Sequence, residues 1–202
     1  MSNADPARGA KRRLRREVVG RILAMDPTDR RREEEALGRL FPGLPGLDSA
    51  EVLLLYLAHL PEEFETRGMV QWAREQGKAV ACPRVDREAR LLRLHLVEDL
   101  ERDLEPGPFG IPEPSPGTSV VEPGAVDWAL VPGIAFDPRG YRIGRGAGYY
   151  DRLLPTLRPE APRYSLVLDL QWIDQVPDEP HDQRVDGVVG VARRSLLPRG
   201  PR

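Results

Sequence analysis

The chain has 202 residues, and its 30 lysines and arginines against 32 aspartates and glutamates leave a formal net charge of −2. No global field therefore draws it to nucleic acid or to an anionic membrane, and any anion site has to be local. No apolar run approaches the roughly 20 residues that span a bilayer, and the first residues lack a signal-peptide core, so a soluble cytoplasmic protein is expected.

The single cysteine, Cys82, can form no internal disulfide and sits in an apolar run, where it reads as a buried strand residue. Residues 7–25 place Leu14, Val18, Ile22 and Leu23 on one helical face with Lys11, Arg12, Arg13, Arg15 and Arg16 around it, which predicts a basic amphipathic helix. A nucleic-acid arm or a membrane-surface helix stays open, but the stripe is only as wide as packing on a domain requires. Asp26-Pro27-Thr28 ends that helix and caps a second over residues 29–40. The apolar run 51–57 predicts a strand covered on both faces; residues 66–76 a helix with Met69, Val70 and Trp72 or Ala73 inward; residues 78–82 a strand stopped by Pro83. Together these form a βαβ unit, whose ligands collect at the carboxyl ends of the strands. Glu63 lies just past one such end, with Glu62 and Glu65 as candidate helix-start charges.

Residues 91–96 alternate as a strand, in which His95 is a packed side chain. The prolines between 104 and 116 predict an extended loop without regular structure. Residues 125–131 form the strand that delivers the most informative stretch of the chain. There Arg142 and Arg145 flank glycines at 144, 146 and 148 before a helix predicted over 147–157. Alternating glycines let successive N–H groups converge on one anion, and arginines add forked donors for phosphate oxygens. From glycine spacing alone, a surface turn with solvated arginines is the alternative. A strand over 163–168 and another over 187–191 complete the pattern, and His181 and Asp182 between them read as loop-shaping residues. One domain over 1–202 is expected, with loose tails at 1–6 and about 193–202.

The stretch from Pro132 through Asp137, Gly140 and Arg142 to Arg152 resembles the signature of the 5-formyltetrahydrofolate cyclo-ligase family, also called methenyltetrahydrofolate synthetases, and some twenty positions match in order. Residues 11–15 and 176–186 resemble two further motifs of that family. The resemblance implies a three-layer, Rossmann-like α/β domain with a mainly parallel sheet flanked by helices, in agreement with the β/α alternation. It also implies ATP- and Mg2+-dependent closure of 5-formyltetrahydrofolate to 5,10-methenyltetrahydrofolate, with ADP and phosphate released. ATP would be held by Lys11, Arg12, Arg13, Leu14, Arg15, Arg142, Ile143, Gly144, Arg145, Gly146, Ala147, Gly148, Tyr149 and Tyr150. The folate would meet Leu57, Glu63, Phe109, Gly110, Ile111, Glu113 and both tyrosines. Asp151 and Asp186 would hold Mg2+, a hard ion suited to carboxylates, and Arg145 and Tyr150 would act in catalysis. Ala147 stands where many relatives have lysine or glycine, and Gly190 where the family commonly has threonine.

A small-molecule substrate, a monomer, and no nucleic-acid or membrane partner are expected. Other readings are a non-catalytic folate or nucleotide binder and an enzyme for another N-formyl heterocycle. An RNA-binding accessory is disfavoured because the few aromatic residues are not grouped with the arginines.

Overall fold

A computed structural model describes residues 6–107 and 110–198. Helix α1 (Pro6–Leu23) turns Leu14, Val18 and Ile22 onto the core. Leu23, expected beside them, is 54% exposed, because one residue past Ile22 the helix has rotated by about 100°. Helix α2 (Pro27–Leu40) starts as its sequence predicts: the Asp26 carboxylate accepts from the N–H groups of Thr28 and Asp29 at 2.8 and 3.2 Å, with Pro27 in the first turn.

Strand β1 (Val52–Leu54), helix α3 (Arg67–Glu75) and strand β2 (Ala79–Asp86) make the expected parallel βαβ unit. Strand β2 does not stop at Pro83. Leu55 N–H bonds the carbonyl of Ala81 on one side, and Val97 N–H bonds that of Val80 on the other. By the two-residue period, Pro83 therefore turns its nitrogen to the β1 side, where β1 has already ended. No ladder hydrogen bond is lost, so β2 continues against β3 (Leu91–Leu96). Buried His95 sets Nδ1 3.1 Å from the Thr118 hydroxyl, in keeping with a packed strand histidine.

The proline-rich segment is likewise more regular than expected. Strands β4 (Leu104–Pro106) and β5 (Pro112–Pro114) form an antiparallel ribbon. Gly107 N–H donates to Ile111 O and Ser115 N–H to Asp103 O, so the odd-numbered residues carry the pairing while Pro106, Pro112 and Pro114 turn their nitrogens outward. An isolated ribbon has free outer edges, and proline is harmless there.

The remaining strands are β6 (Val120–Val121), β7 (Trp128–Leu130), the β8 (Ala135–Phe136) and β9 (Arg142–Ile143) hairpin, β10 (Arg163–Leu166), β11 (Gly187–Val189) and β12 (Arg194–Leu196). Helix α4 (Tyr149–Leu153) is shorter than predicted, because Pro155 has no N–H to continue it and the chain tightens into a 3-10 turn. The main sheet runs β12-β11-β10-β7-β1-β2-β3-β6. Its strands from β11 to β2 are parallel, and β12, β3 and β6 are antiparallel. Residues 194–196 are thus an edge strand and not a loose tail.

Alternation along the inner strands builds three layers. Leu53, Val80, Cys82, Trp128 and Leu130 face α1, α2 and α3, while Leu54, Ala81, Ala129 and Val131 face α4. Trp128 stacks on Tyr164 at 5.8 Å, meets the edge of Phe41, and donates its indole N–H to Pro45 O at 3.1 Å. Burial pushes the Cys82 thiol up to about 12, leaving it an inert core residue.

Gly190 ends β11 where the Asp169 carboxylate, bonded to Ala192 N–H at 3.1 and 3.0 Å, crosses the chain. A Cβ there would stand 2.4 Å from Asp169 Oδ1, so threonine does not fit this backbone. Gly190→Thr is expected to cost about 1–3 kcal/mol, read as a lower urea midpoint at constant slope; an unchanged midpoint would show that Asp169 swings aside freely.

Candidate active site

At the carboxyl ends of β1, β2 and β7 lies a cleft of about 1210 Å³. A site for one drug-sized ligand spans roughly 300–1,000 Å³, so this one has room for two. Lys11, Arg12 and Arg15 of α1 reach it, whereas Arg13 is exposed away from it and Leu14 packs on the core. Helical spacing separates these side chains within one motif.

The glycine loop forms one wall. Gly146 and Gly148 have φ of +100° and +68°, which favours glycine, and the amides of residues 145–148 find no acceptor among the described residues. Arg15 donates through Nε to Gly144 O at 2.7 Å, pinning the loop to α1. Burial, and then the like charge of Arg145, pull Arg15 below the usual arginine range. Two guanidiniums held together in this way favour an anion between them. Helix α4 is too short for a large dipole, so the loop amides and arginines carry the site.

Arg142 is buried and donates through Nη2 to Asp151 Oδ1 at 2.9 Å; its Nε and the Tyr150 hydroxyl are buried without a partner. Such groups cost about 1–3 kcal/mol each unless something accepts or donates to them, and a ligand in the cleft can do so. Burial drives Tyr150 well above the ordinary phenol range, so at neutral pH it can orient a ligand as a neutral hydroxyl but cannot serve as a base. Tyr149 also lines the cleft, beneath the Arg152 guanidinium at 5.2 Å.

Of the two aspartates the resemblance assigns to Mg2+, Asp151 lines the cleft and Asp186 does not. Asp186 is buried just before β11, where its Oδ2 accepts from Arg163 N–H at 2.9 Å. Asp182, four residues earlier, lines the cleft with Asp151, and Gln183 N–H donates to Asp151 Oδ1 at 3.2 Å. Glu179, His181 and Asp182 bring ligand atoms within 4.8 Å of one another. Two of these donors are carboxylates, which suits a hard divalent cation. Lys11 Nζ contacts Glu179 at 2.7 Å and Asp182 at 2.5 Å. Burial opposes its charge, but the hydrogen bonds and charges of Asp182 and Glu179 outweigh it and hold Lys11 above its ordinary value.

The other wall carries Leu57, Ile111, Glu113 and Glu63. Burial raises the Glu113 carboxyl above the ordinary range, against the pull of Val85 N–H and Arg84. Glu63 Oε2 accepts from His59 and Leu60 N–H at 3.1 and 3.2 Å. Gly110 lies in the ribbon turn at φ +77° and does not line the cleft; Phe109 falls outside the described residues. Sequence reasoning missed Glu62, which is buried and bonded to Arg145. Only Glu65 acts as the predicted helix-start charge, accepting from Arg67 N–H at 2.7 Å.

Sheet and cleft define a single α/β domain with a loop of unpaired amides and arginines facing an apolar wall at the carboxyl ends of its strands. Residues 7–191 match the model of the 5-formyltetrahydrofolate cyclo-ligase family, and the chain belongs to that family of enzymes. It is 28% identical over 190 residues to the 5-formyltetrahydrofolate cyclo-ligase of Mus musculus, covering 89% of this chain and 93% of the relative. A probable enzyme of the same name from Caenorhabditis elegans is 34% identical over 137 residues, 63% of this chain and 66% of the relative. The solved 5,10-methenyltetrahydrofolate synthetase of Aquifex aeolicus superposes with a TM-score of 0.81 at 29% identity, over 95% of each chain. The Mycoplasma pneumoniae synthetase, at 20% identity and a TM-score of 0.72 over 90% of this chain and 98% of its own, shares the fold.

Titration with Mn2+ as probe separates the two aspartates. Asp182→Asn is expected to weaken cation binding about tenfold, the loss of one charge-assisted ligand. Asp186→Asn should leave cation binding unchanged and lower the melting temperature instead; the reverse pattern would restore Asp186 as the ligand.

Proposed function

We propose that this protein closes 5-formyltetrahydrofolate to 5,10-methenyltetrahydrofolate at the expense of ATP, with Mg2+, releasing ADP and phosphate. One observation carries the reading: a single cleft joins an amide-and-arginine wall suited to a triphosphate to an apolar, carboxylate-bearing wall suited to a pterin. Among the described residues no helix is long and apolar enough to cross a membrane. The same reading takes the enzyme as a cytoplasmic monomer acting on a small molecule.

In this reading Lys11, Arg12, Arg15 and the loop 142–148 hold the triphosphate. Asp151, Asp182 and Glu179 would hold the divalent ion, which supplies charge neutralisation at the phosphates. The formyl oxygen attacks the γ-phosphorus and ADP leaves. The arylamine nitrogen then adds to the activated carbon, loses its proton, and phosphate departs with the former formyl oxygen. Phosphorylation turns a poor leaving oxygen into a good one, and the protein's part is positioning and charge placement. Arg145, half-exposed at the cleft mouth, and buried Arg142 bring permanent positive charge to the transferring group. Glu63 would accept from the pterin edge, and Tyr150 would orient substrate through its unpartnered hydroxyl.

Absorbance of the methenyl product tests this directly. Product is expected only when ATP and Mg2+ are both present, and product without ATP, or none with it, overturns the reading. Glu63→Gln should raise KM for the folate about tenfold and KM for ATP less than twofold; equal effects on both would remove Glu63 from the pterin.

A further inference from the structure

Arg145 stands on a glycine-rich bend whose neighbouring amides make no ladder bonds, so the backbone leaves its long side chain free to rotate. Its neighbour Arg15 carries the same charge and is close enough to be shifted by it. Without a counter-charge, that repulsion would push Arg145 out into solvent. The nearest counter-charge is Glu62, whose carboxylate accepts from Arg145 Nη2 and is only 9% exposed, with Glu63 a longer ion pair at 3.8 Å, while 47% of the Arg145 side chain stays exposed.

Glu62 is itself held rigidly. Arg30 of α2 donates to the carbonyls of Pro61 and Glu63 on either side of it. The same loop is tied by Thr66, whose hydroxyl donates to Tyr56 O at 2.7 Å and accepts from Ala58 N–H at 3.0 Å. Arg145 Nε lies 3.8 Å from Glu63 Oε1, so the arginine stands at the seam between the two walls of the cleft. A guanidinium has five N–H donors, and Glu62 occupies one edge.

We infer that Glu62 is the positioning residue for Arg145. Its buried carboxylate selects the rotamer in which the free donors of Arg145 face the nucleotide, and it offsets the repulsion from Arg15 so that both cations meet the same phosphates. Because leaving a buried carboxylate unpaired is costly, the pair persists when ligand binds and does not compete with it. The inference rests on the nucleotide site proposed above.

A double-mutant cycle on the full chain tests it, with a non-hydrolysable ATP analogue and Mg2+ as probe in a calorimetric titration. Glu62→Gln is expected to weaken the analogue about tenfold, as loss of a charge-assisted hydrogen bond implies. On an Arg145→Ala background the same substitution should change affinity less than twofold, because the group it acts through is gone. Equal weakening on both backgrounds would show a merely structural role and overturn the inference. So would unchanged affinity in Glu62→Gln. Glu62→Asp keeps the charge but shortens the reach; it should fold, and should also weaken the analogue, with wild-type affinity again overturning the proposal. A wild-type chain that binds the analogue but forms no methenyl product sinks the proposed reaction alone, and one that binds no analogue sinks both.

Discussion

The ion pair between Arg142 and Asp151 is the contact on which the cleft depends. Arg142 is buried on β9, and burial alone would pull its charge down; the Asp151 carboxylate opposes that loss. Breaking a buried pair by removing one partner costs about 3–5 kcal/mol, far more than any exposed pair at the rim. Through this contact the β8/β9 hairpin is fastened to α4, and Asp151 also receives Gln183 N–H from the loop before β11. Three segments thus share one carboxylate, the last of them 32 residues beyond it, and the glycine loop hangs between the first two.

Around that pair the charges are sorted by wall. Arg15 grips the loop carbonyl at Gly144, so α1 is both a packing helix and a side of the anion site. Lys11, one turn earlier, bridges to Glu179 and Asp182, more than 160 residues away in the chain. The helix therefore crosses from the cationic wall to the carboxylate cluster, and in the proposed function it would set triphosphate and divalent cation side by side. The opposite wall is mostly apolar, with one oxygen of Glu63 bonded to backbone amides and Glu113 buried on the ribbon strand β5.

Much of this was legible in the chain because it is local or periodic. The runs at 51–57 and 79–82 alternate faces in the sheet as buried parallel strands do, and Asp26-Pro27 starts α2 as a capping sequence should. The prolines misled where their neighbours mattered. Pro83 and the prolines of the ribbon direct their nitrogens to unpaired edges, and which edge is unpaired depends on strands elsewhere. Asp182 was harder to read. It shares a segment with Asp186, and only the assembled sheet shows which of the two lines the cleft.

By itself, the sequence determined the family through its motifs, and the inner parallel strands, the first three helices and the glycine loop through side-chain periodicity and glycines that tolerate positive φ. The tertiary structure decided which charges meet. Glu62 with Arg145 and Asp182 with Lys11 are contacts across long stretches of chain, and even Arg142 and Asp151, nine residues apart, meet only because the hairpin and α4 pack together. Electrostatic energy depends on distance and burial, and neither is set until the sheet is assembled.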